Sequence, residues 1–156
     1  MFNLRLITIG KYKEAYLKEA QVEYLKRLKP YAKITLTELT EEPFRTQADH
    51  AKSKQKEAEK ILKLLDGDEI VIALHETGKE YTSFELAHFL TTNSERGQTL
   101  TMIIGGPLGL DESIFKRANF QLSLSRLTLA HQMVRPLLLE QIYRAATIIR
   151  GKQYHY

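Results

Sequence analysis

The chain has 156 residues, of which 43% are hydrophobic and 27% are charged, and it contains no cysteine. These values are typical of one soluble globular domain spanning 1–156, and no apolar run approaches the roughly 18 residues that a membrane helix needs. The missing cysteines exclude disulfides and thiolate metal sites, and they fit a cytoplasmic protein. Residues 1–10 lack the basic region and cleavage site of a signal peptide, so none is expected.

The net charge of +4 is distributed unevenly along the chain. Residues 113–156 contain seven basic residues and a single acid, Glu140, which gives this segment +6 and leaves −2 for residues 1–112. The seven are Lys116, Arg117, Arg126, Arg135, Arg144, Arg150 and Lys152. A basic C-terminal third suggests an anionic partner such as RNA, and a solvated basic face is an equally good interpretation.

The first half of the chain predicts two strands that alternate with two helices. The strands are expected at 2–9 and 33–39, and the helices at 11–28 and 47–65. Pro30 ends the first helix, and the turn at 41–43 separates the second strand from the second helix. The run of lysines and glutamates at 52–60 is interpreted as a solvated helix face rather than as an RNA contact.

The second half predicts three further strands, at 69–74, 99–104 and 120–124. The first of these is apolar enough to be central in the sheet, and a loop is expected after it at 75–78. Thr82 and Glu85 have the spacing of a capping box, which predicts a helix to about Leu90. A glycine-rich loop at 105–109 follows the next strand, and a short helix is expected from Asp111.

The last helix is apolar around almost its whole circumference, which predicts burial on most sides. Pro136 costs nothing in a first turn, so the helix is expected to begin at Gln132 or Met133, with His131 just outside it. Two arginines lie in this apolar helix, and each needs a partner or a function. Arg144 has Glu140 four residues earlier, the favourable order for a helical ion pair.

Strands that alternate with helices predict an α/β domain with a mainly parallel sheet and helices on both faces. Ligands of such sheets bind beyond the carboxyl ends of the strands. Three loops are expected at that edge, after Leu74, Ile104 and Leu124. This shared position, more than any single motif, predicts the location of the site.

Several residues near this edge have both a structural and a functional interpretation. The loop at 105–109 is either a tight turn or a close approach of backbone to a ligand. Ser123, Ser125 and Thr128 either bind a ligand or cap the last helix. His131 is more often structural than catalytic in such a position. The five histidines are scattered without ligand spacing, so no metal site is predicted.

The C-terminal six residues would by default form a frayed terminus. Tyr154 and Tyr156 flank His155 after a basic stretch, and such a group can also stack on a base while the imidazole handles a proton.

Four motifs in order resemble the RlmH family of SPOUT-class RNA methyltransferases. They are Gly105-Gly106-Pro107 with Gly109, Ser123-Leu124-Ser125 with Leu127-Thr128 and His131, Glu140-Gln141-Ile142-Tyr143-Arg144, and Tyr154-His155. The resemblance extends over the whole chain, and it implies methylation of N3 of a pseudouridine in 23S ribosomal RNA. Because a small, weakly basic protein offers little RNA-binding surface of its own, the assembled ribosome is the expected substrate.

The same resemblance implies a trefoil knot near the C-terminus that holds S-adenosylmethionine, and a homodimer whose active site is completed across the interface. The implied cofactor contacts are Leu74, Gly105, Gly106, Ser125, Arg126, Leu127, Thr128, Leu129 and Ala130. The implied catalytic residues are Arg144, Tyr154 and His155.

One position departs from the pattern of the family. Members usually have a basic residue directly after the Tyr-His pair, and this chain has Tyr156 there. One alternative interpretation is therefore an RNA-binding module that has lost the chemistry. Another is the same chemistry on a different RNA such as tRNA.

Overall fold

The computed structural model describes residues 1–95 and 97–156, which form five strands and five α-helices. The strands are β1 (Phe2–Ile9), β2 (Ala32–Leu39), β3 (Ile70–Glu80), β4 (Thr99–Ile104) and β5 (Phe120–Ser123). The helices are α1 (Ala15–Leu28), α2 (His50–Leu62), α3 (Ser83–Ser94), α4 (Glu112–Arg117) and α5 (His131–Ile149).

All five strands pair in parallel, in the order β2-β1-β4-β3-β5. The carboxyl ends of the strands therefore meet at one edge, where residues 74–76 of β3 and the loops that follow β4 and β5 lie together. This arrangement confirms the predicted α/β fold with a parallel sheet.

Helices cover both faces of the sheet, as the sequence predicted. Because side chains alternate along a strand, Leu4 and Leu6 of β1 join one core while Ile7 and Ile9 join the other. The first core lies under α3 and α5, which contribute Leu90 and several buried residues of the last helix. The second core lies under α2 and α4.

The first two helices begin later or end earlier than their sequence patterns suggested. Gly10 has a φ of +84°, residues 11–14 are non-helical, and α1 begins at Ala15. The second helix opens with a 3-10 turn over Gln47–Asp49 and ends at Leu62 rather than at residue 65. In contrast, the capping box of Thr82 and Glu85 is present as predicted.

The predicted loop at 75–78 is wrong, because β3 continues through it to Glu80. Leu122 of β5 pairs with both Leu74 and Lys79, so the intervening residues form a bulge in the strand. A Cβ atom on Gly78 would lie 2.8 Å from the backbone carbonyl carbons of Gln121 and Leu122. Only glycine lets the two strands approach this closely.

The predicted start of the last helix is also wrong. His131 is the first residue of α5 and not a loop residue, which places Pro136 in the second turn instead of the first. There proline removes the hydrogen bond to the carbonyl of Gln132, a loss of roughly 3 kcal/mol in an isolated helix. Pro136 is buried, and α5 packs between α1 and α3, so tertiary contacts stabilise the helix despite the lost bond.

We expect Gly78→Ala to destabilise the protein by about 1–3 kcal/mol, because the added methyl group must displace the β5 backbone. Gly67→Ala is the matched control, since a Cβ atom there meets nothing within 4 Å. Urea unfolding of both variants measures the difference, and equal stabilities would contradict the close approach.

Candidate functional site at the carboxyl edge of the sheet

A cavity of about 480 Å³ lies at the carboxyl edge of the sheet. Its walls come from the ends of β3, β4 and β5 and from the first residues of α5. Eight of the nine residues predicted to bind the cofactor line it: Leu74, Gly105, Gly106, Ser125, Leu127, Thr128, Leu129 and Ala130. The lining is mainly apolar with a few polar groups, as in most small-molecule sites of this size.

The glycine-rich loop forms one wall from bare backbone. A Cβ atom on Gly105 would lie 2.9 Å from the carbonyl carbon of Gly109, and one on Gly106 would lie 3.0 Å from Cγ2 of Ile9. Gly109 itself has a φ of +79° and donates its N–H to the carbonyl of Gly106. The predicted tight turn is therefore present, and the backbone of this loop lines the cavity.

The loop after β5 forms the opposite wall through its own hydrogen bonds. The Ser123 hydroxyl donates to the carbonyl of Ser125, whose hydroxyl accepts from the N–H of Leu127. Thr128 donates to Glu76 over 2.8 Å, which ties this loop to β3. None of these hydroxyls caps α5, because Ala130 is the N-cap residue and has no side-chain cap bond.

Arg126 is the one predicted cofactor residue that does not line the cavity. Its side chain is 88% exposed and forms an ion pair of 3.2 Å with Glu80. The guanidinium therefore points to the solvent side of the loop.

His131 lies in the wall of the cavity at the start of α5. Burial lowers the pKa of its imidazole, and the nearby carboxylate of Glu41 only partly offsets that effect. The ring is therefore held in its neutral form, which adds no positive charge to the site at neutral pH.

Arg135 connects α5 to the end of β1. Its side chain is 1% exposed and forms an ion pair of 2.7 Å with Glu38. The same guanidinium donates to the carbonyls of Ile9 and Gly10, and its Cζ lies 4.8 Å from the ring centroid of Tyr12. The sequence required a partner for this arginine but gave no indication of which residues supply it.

These contacts also set the shape of the cavity. Ile9, whose carbonyl Arg135 holds, lies directly behind Gly106 in the cavity wall. One turn before Arg135, the side chain of Gln132 accepts the N–H of Lys13 over 2.9 Å. The first turns of α5, which border the cavity, are thereby fixed to the end of β1, which lies behind Gly106.

The predicted catalytic residues lie together at the other end of α5. Arg144 donates to Glu140 over 2.6 Å, as its spacing predicted, and its Cζ lies 4.9 Å from the ring centroid of Tyr154. The Tyr154 hydroxyl donates to the same carboxylate over 3.2 Å. The ring of His155 packs edge-on against Phe84 at 5.0 Å, and its Nδ1 is buried without a hydrogen-bond partner.

Burial raises the pKa of Tyr154 to about 12, and its hydrogen bond with Tyr24 and the charge of Glu140 act in the same direction. The phenol is therefore protonated at neutral pH and serves as a hydrogen-bond donor, not as a base.

Within one chain, the predicted catalytic residues and the cavity are far apart. None of Arg144, Tyr154 and His155 lines the cavity. Arg144 follows His131 by thirteen residues in one helix, a rise of about 20 Å at 1.5 Å per residue. An arginine side chain is too short to span that distance.

Residues 1–95 and 97–156 contain no group of three His, Asp or Glu side chains placed to hold a metal ion. In the same residues, no helix combines the length and apolar character needed to cross a bilayer.

Comparison with known sequences places the chain among methyltransferases. A family model described as "Predicted SPOUT methyltransferase" matches residues 2–155. The ribosomal RNA large subunit methyltransferase H of Symbiobacterium thermophilum is 46% identical over 158 residues, which cover 97% of this chain and 98% of the relative. The enzyme of the same name from Bacillus pumilus is 45% identical over 157 residues, with coverages of 98% and 99%.

Solved structures share the fold at low sequence identity. A probable methylase family protein from Haemophilus influenzae Rd KW20 has a TM-score of 0.56 at 14% identity, covering 99% of this chain and 71% of that one. A putative methyltransferase from Legionella pneumophila, solved with its bound cofactor SAM, has a TM-score of 0.53 at 13% identity, with coverages of 93% and 66%.

We expect Glu38→Ala to lower the free energy of unfolding by about 1–3 kcal/mol, because it leaves the buried guanidinium of Arg135 without its carboxylate. Glu23→Ala removes an exposed helical ion pair with Arg27 and should change stability by no more than about 0.5 kcal/mol. Denaturant titration compares the two, and a loss at Glu38 no larger than at Glu23 would contradict the role of the buried contact.

The lowered pKa of His131 predicts a pH-dependent stability. Its folded-state pKa lies below the unfolded value of 6.5, so the unfolded chain binds the proton more readily. The contribution is therefore complete above pH 6.5 and is lost as the pH falls through the folded-state pKa. Urea unfolding between pH 8 and pH 5 should show wild type losing more stability than His131→Gln, and parallel curves would exclude a depressed pKa.

Proposed function

Because this chain belongs to the SPOUT methyltransferase family and to its ribosomal RNA large subunit methyltransferase H group, we propose that it methylates N3 of a pseudouridine in 23S ribosomal RNA. S-adenosylmethionine is the proposed methyl donor. The observation that carries this proposal is the cavity at the carboxyl edge of the sheet, which gathers eight residues that the sequence had suggested for the cofactor.

The cavity fits S-adenosylmethionine in size and chemistry. Its volume of about 480 Å³ suits a ligand of that size. The wall at Gly105 and Gly106 consists of backbone, against which a flat base and ribose can lie closely. The carboxylate of Glu76 and the neutral ring of His131 provide a lining that tolerates the positive sulfonium.

When bound, S-adenosylmethionine supplies a methyl group on sulfonium sulfur that needs no further activation. The protein must hold the nucleophile close and in line, and must stabilise the charge that develops when N3 loses its proton. Arg144 is the proposed electrostatic partner of the uracil carbonyls. His155 is the proposed proton acceptor, and Tyr154 donates a hydrogen bond because its phenol stays protonated.

A homodimer would bring these two groups together. The separation of about 20 Å along α5 means that the cavity of one chain needs the Arg144 group of another. The outer face of α5 supports such an assembly, because Met133 and Leu137 are 45% and 39% exposed, one helical turn apart. An apolar hollow of about 210 Å³ beside Leu137 and Leu129 continues this surface.

The proposed function includes the form of the RNA substrate and the location of the reaction. A chain with a net charge of only +4 has little RNA-binding surface, so the assembled ribosomal subunit is the proposed substrate, in the cytoplasm. Residues 1–156 are taken as one SPOUT domain, and the trefoil knot near the C-terminus stays a prediction.

Transfer of a tritiated methyl group tests the function directly. Ribosomal subunits from a strain that lacks the modification, free 23S RNA and tRNA are offered in parallel, and the modified nucleotide is identified by mass spectrometry. Labelling of a pseudouridine in the subunit supports the proposal. Labelling of tRNA alone would contradict the proposed substrate, and absence of both labelling and cofactor binding would indicate a binding module.

Arg144→Ala should lower kcat by roughly 100-fold or more, because it removes a charged donor from the transition state. The affinity for S-adenosylmethionine, measured by calorimetry, should change little because Arg144 is proposed to contact the uracil ring and not the cofactor. Arg126→Ala is the matched control, since it removes an exposed arginine near the cavity. Equal losses of turnover and cofactor affinity would refute the proposed role.

Mixing two inactive variants tests whether the site is shared. Gly106→Val displaces the cavity wall, because its Cβ atom would press against Ile9 behind the wall, while Arg144→Ala removes the proposed catalytic arginine further along α5. Mixed dimers would contain one intact composite site, and random mixing should restore about a quarter of wild-type activity. A site formed within single chains would give no recovery.

A further inference from the structure

A strip of tyrosines and cations runs along the surface where α1 packs beside α5 and the C-terminal residues. We call it the cation–tyrosine strip: Tyr24, Arg27, Tyr31, Tyr143, Lys152 and Tyr154. The ring of Tyr143 is central, with its centroid 6.3 Å from that of Tyr24, 5.9 Å from that of Tyr31 and 4.7 Å from that of Tyr154.

The rings hold the two cations of the strip in place at the surface. The guanidinium of Arg27 lies 5.5 Å from the centroid of Tyr24 and 5.9 Å from that of Tyr143. The ammonium of Lys152 lies 5.2 Å from the centroid of Tyr31. Both residues are nonetheless exposed. Side chains already ordered in this way lose less conformational entropy when an anion binds them.

The two chain segments that supply the strip are basic in sequence. Residues 24–37 contain four basic residues and no acid, and residues 141–156 contain three basic residues and no acid. Glu23 and Glu140, which pair with Arg27 and Arg144, partly offset this charge. Concentrated like charge destabilises a folded chain through repulsion, so such a surface is best explained by an anionic partner.

We propose that the cation–tyrosine strip binds single-stranded RNA next to the nucleotide that is methylated. This inference rests on the proposed function and adds the surface that holds the substrate outside the cavity. Arg27 and Lys152 contact phosphates, and the partly exposed rings of Tyr24 and Tyr143 contact bases or ribose. Cations interleaved with aromatic rings are the usual composition of such surfaces, whereas an acidic peptide would have no use for the rings.

The position of the strip supports this assignment. Arg144 stacks on Tyr154 at one end, 4.9 Å from its centroid, so the strip continues directly from the proposed catalytic group. A nucleotide held at Arg144 would place its neighbours along the strip. Neither Arg27 nor Lys152 belongs to the catalytic group, so both can be changed without removing a reacting side chain.

The test uses the double variant Arg27→Gln with Lys152→Gln in the full-length protein, with ribosomal subunits as substrate. We expect a several-fold higher KM for the subunit, with kcat and cofactor affinity unchanged. The plot of log KM against log salt should become shallower by about 1.4, since each lost phosphate contact on a single strand removes roughly 0.7.

Lys52→Gln with Lys56→Gln is the matched control. It removes the same charge from exposed positions on α2, which packs on the opposite face of the sheet. The control should leave both KM and the salt slope close to wild type. Equal effects of the two double variants would overturn the strip as a specific contact, because only net charge would then matter.

Three further outcomes separate this inference from the proposed function. If wild type methylates subunits and the strip variant matches it in KM and salt slope, the strip is refuted and the function stands. If the strip variant loses self-association in sedimentation, the strip is a subunit contact and the RNA assignment is overturned. If wild type does not methylate subunits, the proposed function itself fails.

Discussion

The buried guanidinium of Arg135 is the contact on which the site depends. Its ion pair with Glu38 and its bonds to the carbonyls of Ile9 and Gly10 join the last helix to the first two strands. A buried charge of this kind is tolerated only when its partners are in place, so the arrangement is specific as well as stabilising. Because Ile9 lies behind Gly106, fixing the helix also fixes the cavity wall.

The sheet edge and the glycine loop explain why one small domain can form a cofactor-sized cavity. Five parallel strands bring the bulge of β3 and the loops after β4 and β5 to one edge, and a few bonds such as Thr128 to Glu76 hold these segments together. Backbone forms the wall where space is most limited. The proposed catalytic residues lie further along α5, and this separation is the basis for proposing two chains per site.

The elements with strong periodicity were predictable from the sequence, and those set by long-range contacts were not. The alternation of residues in β1 indicates which of them face each core. The capping box at Thr82 predicts the start of α3. The extension of β3 to Glu80 depends on pairing with β5, which no local pattern reveals. Likewise, the hydrogen bond lost at Pro136 can be predicted from the sequence, but the packing of α5 that offsets this loss cannot. The predicted start of the helix was therefore wrong. The partner of Arg135 is 97 residues away in sequence, and Phe84 beside His155 gave no signal at all.

The fixed length of α5 limits how the sequence of such a protein can change in evolution. The first turn of α5 borders the cavity and its fourth turn contains Arg144, so the helix sets the distance between the cavity and this arginine. Inserting or deleting a single residue between them would rotate one end against the other by about 100°. Substitutions along α5 can therefore be tolerated, whereas insertions and deletions within it cannot. We expect differences in chain length between related proteins to be confined to the loops away from this edge.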